Sequence, residues 1–265
     1  MNQLLQGKRG IIFGALDDKS IAWKVAEKTV EHGANIVLTN APMAFRFGQI
    51  EELAKQLDVP AIPADATSEE QLEELVDKAM EHLGGPIDFV LHSIGMSLNV
   101  RKKREYTDLR YDWMQKTFDI SAISFHKVMQ SLWKKDAMND WGSILALTYI
   151  AAQRVFPSYS EMAESKALLE SFARSFGYHF GDKKNVRVNT ISQSPTYTTA
   201  GSGVDGFDDF YNYADEMSPL GNATADDCAN YCVLMFSDLS RMVTMQNLFH
   251  DGGYSFMGIN PQLKK

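Results

Sequence analysis

The chain has 265 residues, of which 45% are hydrophobic and 23% are charged, and its formal net charge is −8. This length and composition are typical of one globular domain and argue against a disordered or low-complexity protein. The acidic charge argues against nucleic acid as the main partner. Residues 1–9 lack the apolar core of a signal peptide, and no later run is long enough for a membrane span. We therefore expect a cytoplasmic protein.

Short apolar or β-branched runs alternate along the chain with longer segments of helical periodicity. Strands are predicted at 10–13, 35–39, 60–63, 89–92, 143–147, 186–191 and 248–250. Helices are predicted at 21–32, 68–83, 110–135, 158–180 and 225–236. This order predicts an α/β protein, a single doubly wound Rossmann-type domain with a seven-stranded parallel sheet flanked by helices.

Local signals predict the ends of two helices. Gly33 follows the helix at 21–32 as a left-handed cap, and Ser68 with Gln71 resembles a capping box at the start of the helix at 68–83. Cys228 and Cys232 lie one turn apart on an apolar helical face, which predicts buried, reduced thiols rather than a metal site.

The helices predicted at 110–135 and 158–180 carry apolar residues on more than one face. A helix that is apolar on two faces must bury both of them. Either a subunit interface or additional packing within the chain would do so, and the sequence leaves both open.

The first strand runs into a loop that contains Gly14 and ends at Ser20, where a helix begins. Such a turn presents backbone amides to a pyrophosphate in dinucleotide-binding domains. The full G-x-G-x-x-G pattern is absent, and a Gly turn before a Ser-capped helix also occurs without any ligand. Asp17 and Asp18 in this loop are expected to face solvent, because carboxylates and phosphates repel each other.

Polar or small residues also follow the third and fourth strands. Asp65 could accept a hydrogen bond from an adenine amino group, and residues 93–95 end in a glycine where backbone must pass close to a cofactor. Each feature alone is equally consistent with an ordinary strand end. Because the carboxyl ends of parallel strands meet at one edge of the sheet, together they predict one dinucleotide crevice.

The end of the second strand bears on which dinucleotide is bound. Residues 39–42 contain neither the usual ribose-binding acid nor a cation for a 2′-phosphate. This favours NADH and makes NADPH the less expected cofactor. Arg46 is the nearby cation that a bend of the loop could bring to a 2′-phosphate.

Tyr149, Tyr159 and Lys166 form the sharpest candidate catalytic group. Seven positions on a helix turn through about 700°, which predicts that Tyr159 and Lys166 project from one face. A neighbouring cation would lower the pKa of the phenol and favour its phenolate, and the pair could donate a proton or hydrogen bond to a developing oxyanion. The alternative is a surface Tyr and Lys on an amphipathic helix.

These motifs together resemble the bacterial enoyl-acyl-carrier-protein reductases, a divergent branch of the short-chain dehydrogenase superfamily, over essentially the whole chain. The residues that carry the resemblance are Gly14 with 20–22, Asp65, 92–95, 147–149, 159–166, 186–189, Pro195, 237–240 and 251–253. Ordinary members of the superfamily space the Tyr and Lys four apart and have Ser in place of Tyr149. The chain departs from many family members at 193–195, which reads Gln-Ser-Pro rather than Ala-Gly-Pro, and at Ala163, where Gly is usual.

The resemblance implies hydride transfer from NADH to a trans-2-enoyl thioester, with Tyr159 bonded to the enolate oxygen, Lys166 on the cofactor ribose and Tyr149 as a second wall or donor. The implied cofactor-binding residues are Gly14, Ser20, Ile21, Asn40, Asp65, Ala66, Ser93, Ile94, Gly95, Lys166, Pro195, Thr196 and Thr198. The implied substrate-binding residues are Gly95, Met96, Tyr149, Tyr159, Met162 and Phe207. Residues 196–217, rich in glycine and aromatic residues, would form a lid over the acyl chain.

The resemblance also implies a homotetramer and acyl carrier protein as the partner that carries the substrate. Asp205, Asp208 and Asp209 make the lid acidic, so the basic run at 101–104 is the expected docking surface for an acidic carrier. A solvated charged loop without a partner is the alternative.

Two other functions stay open at this point. A 3-ketoacyl reductase would share the fold, although Tyr149 in place of Ser argues against it. A dinucleotide-sensing regulator would be expected to lack Tyr159 or Lys166.

Overall fold

The structure is a computed structural model that describes residues 3–199, 201–204 and 206–260. These residues form one parallel seven-stranded sheet with the strand order β3-β2-β1-β4-β5-β6-β7. The strands are β1 (Arg9–Phe13), β2 (Asn35–Asn40), β3 (Ala61–Pro63), β4 (Ile87–His92), β5 (Met138–Thr148), β6 (Arg187–Gln193) and β7 (Asn247–His250). The predicted fold class is confirmed, and the strand order reverses between β1 and β4 as doubly wound folds require.

Helices cover both faces of the sheet. They are α1 (Ile21–Glu31), α2 (Pro42–Phe47), α3 (Ile50–Leu57), α4 (Glu69–Leu83), α5 (Leu98–Arg101), α6 (Tyr111–Phe118), α7 (Ser124–Lys134), α8 (Met162–Lys184), α9 (Phe207–Met217) and α10 (Ala225–Phe236). The helix predicted at 110–135 is divided, because a π-helical turn at Asp119–Ile123 separates α6 from α7. No helix in the described part of the chain is long and apolar enough to cross a membrane.

The two predicted helix ends have different outcomes. Gly33 has a φ of 86°, so the left-handed conformation after α1 is confirmed. Only half of the predicted capping box of α4 forms: the Ser68 hydroxyl accepts from the Gln71 amide at 3.3 Å, but the Gln71 side chain bonds the Asp65 amide instead. A complete capping box occurs at α10, where Thr224 and Asp227 bond reciprocally.

Each face of the sheet carries its own apolar core. One core packs α4, α7 and α8 against the sheet, and the other packs α1, α3 and α10 against the opposite face. Cys228 and Cys232 are fully buried in the second core as free thiols, as predicted. No group of three metal-binding side chains occurs within the described ranges. With both faces covered, the carboxyl edge of the sheet is left for a ligand.

Candidate active site

Two adjoining cavities lie at the carboxyl edge of the sheet. The β1 cavity is lined by Gly14, Ser20, Asn40, Asp65 and Ala66. The β5 cavity is lined by Tyr149, Tyr159, Met162, Lys166, Pro195, Thr196 and Phe207. Both cavities are lined by Ile21, Ser93, Ile94, Gly95, Met96 and Thr198. The structure thus brings together every site residue that the sequence predicted.

The loop after β1 is shaped for close backbone approach. Gly14 has a φ of 98°, and a Cβ atom there would lie 2.1 Å from the carbonyl oxygen of Ser93, so only glycine fits. The Ser20 hydroxyl accepts from the amides of Leu16 and Trp23 and donates to the Asp17 carbonyl. Ser20 therefore caps α1 and closes the loop, which leaves the positive end of the helix dipole facing the β1 cavity.

Of the two loop aspartates expected to face solvent, Asp18 is exposed and Asp17 is half-buried. One Asp17 carboxylate oxygen accepts from the Thr199 hydroxyl and the other accepts from the Lys19 amide. The Thr199 contact ties the loop after β1 to the segment after β6. Because the two residues are 182 positions apart, nothing local in the sequence signals it.

The polar residues at the ends of β2 and β3 are partly engaged by the protein. Asn40 donates to the Ala15 carbonyl at 3.0 Å and accepts from the Ala41 amide, so its side chain braces the loop after β1. One oxygen of Asp65 accepts from both the amide and the hydroxyl of Thr67, at 2.8 Å each. Asp65 also lines the β1 cavity.

Arg46 lies on α2 and is exposed to solvent. It is absent from the residues that line the β1 cavity, whose wall at the end of β2 is made by Asn40 and Ala41. The described geometry therefore places no arginine or lysine of this segment where a 2′-phosphate would need one.

Tyr159 and Lys166 reach the β5 cavity, but not from one helix face. Tyr159 lies in a 3₁₀ turn (Pro157–Tyr159), and α8 begins only at Met162. Ser160 between them has a φ of 45°, which re-aims the chain before the helix starts. The helical argument for their meeting is therefore wrong. The Tyr149 ring packs edge-on against the Tyr159 ring, with centroids 5.3 Å apart.

Burial sets the ionisation of these groups. It raises the pKa values of Tyr159 and Tyr149, so both phenols are neutral at ordinary pH. The expectation that Lys166 favours a phenolate is contradicted, because desolvation dominates at Tyr159. Burial also lowers the pKa of Lys166 to about 8, while the nearby Glu170 carboxylate raises it. The site therefore holds two neutral donors beside an amine that is largely cationic at neutral pH.

Two polar atoms show how the site is prepared for a ligand. The Lys166 ammonium donates to the Leu147 carbonyl at 2.8 Å, which holds the side chain against β5. The Tyr149 hydroxyl is buried and has no hydrogen-bond partner among the described residues. An orphaned buried hydroxyl is costly, so a bound group that accepts or donates there would be stabilised. The donor set fits a nicotinamide ribose and a polar acyl group side by side.

The predicted lid forms the outer wall of the β5 cavity. The turn at Gly201–Gly203 and the start of α9 line it, and the buried Phe207 ring packs against Phe210 and Tyr197. Asp208 accepts from the Tyr197 hydroxyl at 2.9 Å, which links the start of the segment to the first turn of α9. Asp205, one of the acidic residues of the predicted lid, lies outside the described residues.

The departure from the family pattern at 193–195 has a structural role. The Gln193 side-chain oxygen accepts from Nδ1 of His250 at 2.7 Å, and the side-chain nitrogen donates to the Thr196 hydroxyl and to the Ala223 carbonyl. The Ser194 hydroxyl accepts from the Ala223 amide. These bonds attach the start of the lid to the end of β7 and to the segment before α10.

The basic run at 101–104 borders the site, but its members differ. Arg101 lines both cavities, a position the sequence did not predict, and Lys102 is exposed at the end of α5. The Arg104 guanidinium donates to both the backbone carbonyl and the carboxylate of Asp108. Lys102 is thus an exposed cation that can meet a partner from solution next to the cavities that Arg101 lines.

Comparison with known proteins gives the family. A family model described as Enoyl-(Acyl carrier protein) reductase matches residues 14–255. The enzyme named Enoyl-[acyl-carrier-protein] reductase [NADH] 1 of Rhizobium meliloti strain 1021 is 36% identical over 258 residues, which are 97% of this chain and 93% of that protein.

Solved structures agree with this match. The FabI–NADH complex from Alistipes finegoldii superimposes with a TM-score of 0.97 at 62% identity, covering 99% of this chain and 94% of that one. The Bacillus cereus reductase solved with NADP+ and indole naphthyridinone has a TM-score of 0.89 at 32% identity, covering 97% and 99%. The chain belongs to the family of NADH-dependent enoyl-acyl-carrier-protein reductases.

Proposed function

We propose that this protein reduces trans-2-enoyl thioesters on acyl carrier protein to saturated acyl thioesters with NADH. The observation that carries the proposal is that Tyr149, Tyr159 and Lys166 line one cavity that opens into the cofactor crevice at the β1–β4 switch. The cofactor supplies the hydride when bound. The residues of the chain bind, orient and stabilise charge around it.

Tyr159 acts on the substrate oxygen. Hydride addition at the β-carbon of an enoyl thioester moves negative charge onto the thioester oxygen, and a hydrogen bond to that oxygen strengthens as the charge grows. Burial raises the pKa of Tyr159, so the phenol keeps its proton and donates throughout the step. Tyr149, whose hydroxyl is otherwise without a partner in the described chain, serves as a second donor or wall.

Lys166 binds the nicotinamide ribose and supplies a positive field near the developing enolate. Its ammonium donates to the Leu147 carbonyl, and because an ammonium has three donors it could also donate to ribose hydroxyls when the cofactor is bound. Other predicted cofactor residues would hold the dinucleotide through backbone amides at Gly14 and 93–95, through the Ser20-capped helix and through the Asp65 carboxylate, and all of them line the β1 cavity. Pro195, Thr196 and Thr198 close the far side.

The acyl chain lies between Met162 and the lid. Met162, Phe207 and Phe210 provide apolar surface in the β5 cavity beside Met96 and Gly95. We propose that the chain is one domain, with residues 196–217 as the lid that covers this surface when substrate is present.

The reaction type is tested by following NADH oxidation with paired substrates. A short trans-2-enoyl thioester is expected to be reduced, and the matching 3-ketoacyl thioester is expected to give no turnover, because Tyr149 stands where a ketone reductase has Ser. Turnover of the ketoacyl substrate alone would assign the chain to ketone reduction. NADH binding with neither turnover would indicate a dinucleotide sensor.

Acyl carrier protein docks on the basic run at 101–104, with Lys102 as the leading contact. An acidic carrier needs a local cation on a chain of net charge −8, and Lys102 is exposed beside Arg101 at the cavity mouth. The Lys102→Glu variant is expected to raise KM for a carrier-bound substrate about threefold or more at low salt, because steering acts through long-range charge. Steady-state kinetics at two salt concentrations measures this effect, which shrinks as screening increases.

A short thioester without the carrier protein is the internal control and should keep its KM in the Lys102→Glu variant. Lys55→Glu, the same charge reversal at an exposed position on α3, is the matched control and should leave both substrates unaffected. If Lys102→Glu changes KM equally for both substrates, or for neither, the run is an ordinary solvated loop.

We also propose a cytoplasmic homotetramer. Tyr178 is exposed on α8, and Phe172 and Phe176 on the same helix are only half-buried, although both contact His126 of α7 edge-on. Packing between α7 and α8 thus covers part of the apolar surface, and a second subunit would cover the remainder. Light scattering on the purified protein gives the mass, and a monomer would contradict the proposal.

A further inference from the structure

Glu170 is a buried carboxylate behind the catalytic group that the proposed mechanism does not use. It lies on α8 and is only 6% exposed. One of its oxygens accepts from the Thr148 hydroxyl at 2.8 Å and from the Asn247 side-chain amide at 3.2 Å. Hydrogen bonds from β5 and β7 therefore hold the carboxylate in one place, and both donors are neutral.

Lys166 is bonded to the same strand, β5, at the residue that precedes Thr148. It is 7% exposed, and its ammonium donates to the Leu147 carbonyl, while Glu170 accepts from Thr148. Residues four apart on a helix project from the same face, one turn from each other. The amine and the carboxylate are thus fixed to consecutive residues of β5 and to consecutive turns of α8.

Among the titratable groups around Lys166, Glu170 is the one whose charge stabilises the protonated amine. Burial lowers the pKa of Lys166 to about 8, and the negative charge of Glu170 raises it. His92 at the end of β4 is neutral, because burial lowers its pKa to about 3. The two phenols that face the same cavity, Tyr149 and Tyr159, are neutral because burial raises their pKa values.

The surroundings of Glu170 include groups that favour its ionised form. Burial raises the pKa of the Glu170 carboxyl, but hydrogen bonds from Thr148 and Gln153 and the positive charges of Arg174 and Lys166 lower it. Arg174 lies one further turn along α8 and is exposed to solvent. Removing the carboxylate would leave the buried amine without a nearby opposite charge.

We propose that Glu170 is a positioning residue that keeps Lys166 cationic during turnover by placing a fixed negative charge one helical turn behind it. The inference rests on the proposed role of Lys166 in binding the ribose and supplying positive field. An amine that loses its proton still donates hydrogen bonds, but it supplies no field to the developing oxyanion.

The test is the pH dependence of kcat in the Glu170→Gln variant with saturating NADH and a short enoyl thioester. Gln keeps the oxygen that accepts from Thr148 and Asn247 but removes the charge. Lys166 is active in its protonated form, so wild-type kcat should fall as pH rises through about 8. In the variant this alkaline limb should move down by about one pH unit, because an opposite charge nearby favours the cation.

Two comparisons isolate the charge. Asp182→Asn removes the same charge from an exposed position on α8 and should leave the limb where it is in the wild type. Glu170→Asp and Glu170→Asn form a second pair of equal size, which supplies the comparison if Gln at this position folds poorly. The Asp variant should keep its limb at higher pH than the Asn variant.

The outcomes separate this inference from the proposed role of Lys166. If the limb stays at the wild-type pH in Glu170→Gln and does not differ between the Asp and Asn variants, Glu170 has only a packing role and the inference is overturned. A lower plateau with an unmoved limb has the same meaning. If instead Lys166→Met retains wild-type kcat at all pH values, the role of Lys166 itself fails.

Discussion

The Tyr159→Phe variant is expected to lose about 100-fold or more in kcat, the usual effect of removing one donor to an oxyanion. NADH binding should stay within about twofold of the wild type, because the hydroxyl acts on the thioester oxygen and not on the cofactor. Phe preserves the ring that packs edge-on against Tyr149. Steady-state kinetics with a short enoyl thioester and titration of NADH fluorescence measure the two quantities.

Tyr111→Phe is the matched control for this variant. It removes the same hydroxyl from an exposed position on α6 and should leave kcat and NADH affinity unchanged. A Tyr159→Phe enzyme with nearly full kcat would show that another group donates to the enolate. Tyr149, with its unbonded hydroxyl in the same cavity, would then be the residue to change next.

The Lys166→Ala variant is expected to lose both cofactor affinity and kcat. Charge-assisted hydrogen bonds to the ribose hydroxyls are worth about 1.5–3 kcal/mol, which corresponds to a loss of about 10- to 100-fold in NADH affinity. The fall in kcat adds to this loss because the positive field beside the enolate disappears. Isothermal titration with NADH and kcat at saturating NADH separate the two effects.

A second substitution at this position separates charge from packing. Truncation to Ala leaves the Leu147 carbonyl without its donor and opens space beside Met162, so Lys166→Met, which is similar in length, is measured in parallel. Lys55→Ala on α3 is the surface control. Unchanged NADH affinity in both Lys166 variants would exclude the ribose contact, whatever happens to kcat.

The location of the site can be predicted from local patterns in the sequence. Alternating apolar runs and helical segments predict a parallel sheet, and in such a sheet strands β1 and β4 must end at the same edge. Gly14 indicates the turn after β1 and Ser20 indicates the helix that follows, because the conformational preference of glycine and the capping preference of serine are local properties. The family motifs then add the chemistry of Tyr159 and Lys166.

Local sequence patterns also led to two wrong predictions. Gln71 has the spacing of a capping box with Ser68, yet its side chain bonds the Asp65 amide at 2.9 Å. Helical spacing also suggested that Tyr159 and Lys166 share a helix face, whereas Ser160 turns the chain before α8 begins. The helix α4 forms within one residue of its predicted bounds, whereas α8 spans Met162–Lys184 rather than 158–180, because the turn at Ser160 delays its start.

The electrostatic environment of the site depends on contacts between residues far apart in sequence, and the periodicity of the sequence does not indicate these contacts. Glu161 shows this: it is fully buried, and its carboxylate accepts from Ser97, Asn99 and Thr117, which lie 44 to 64 residues earlier. Desolvation in the assembled cavity, rather than the neighbouring cation, governs the ionisation of Tyr159. Local sequence patterns predict the elements and the edge of the sheet where the site lies, whereas the charges of its side chains depend on how much water the folded structure removes.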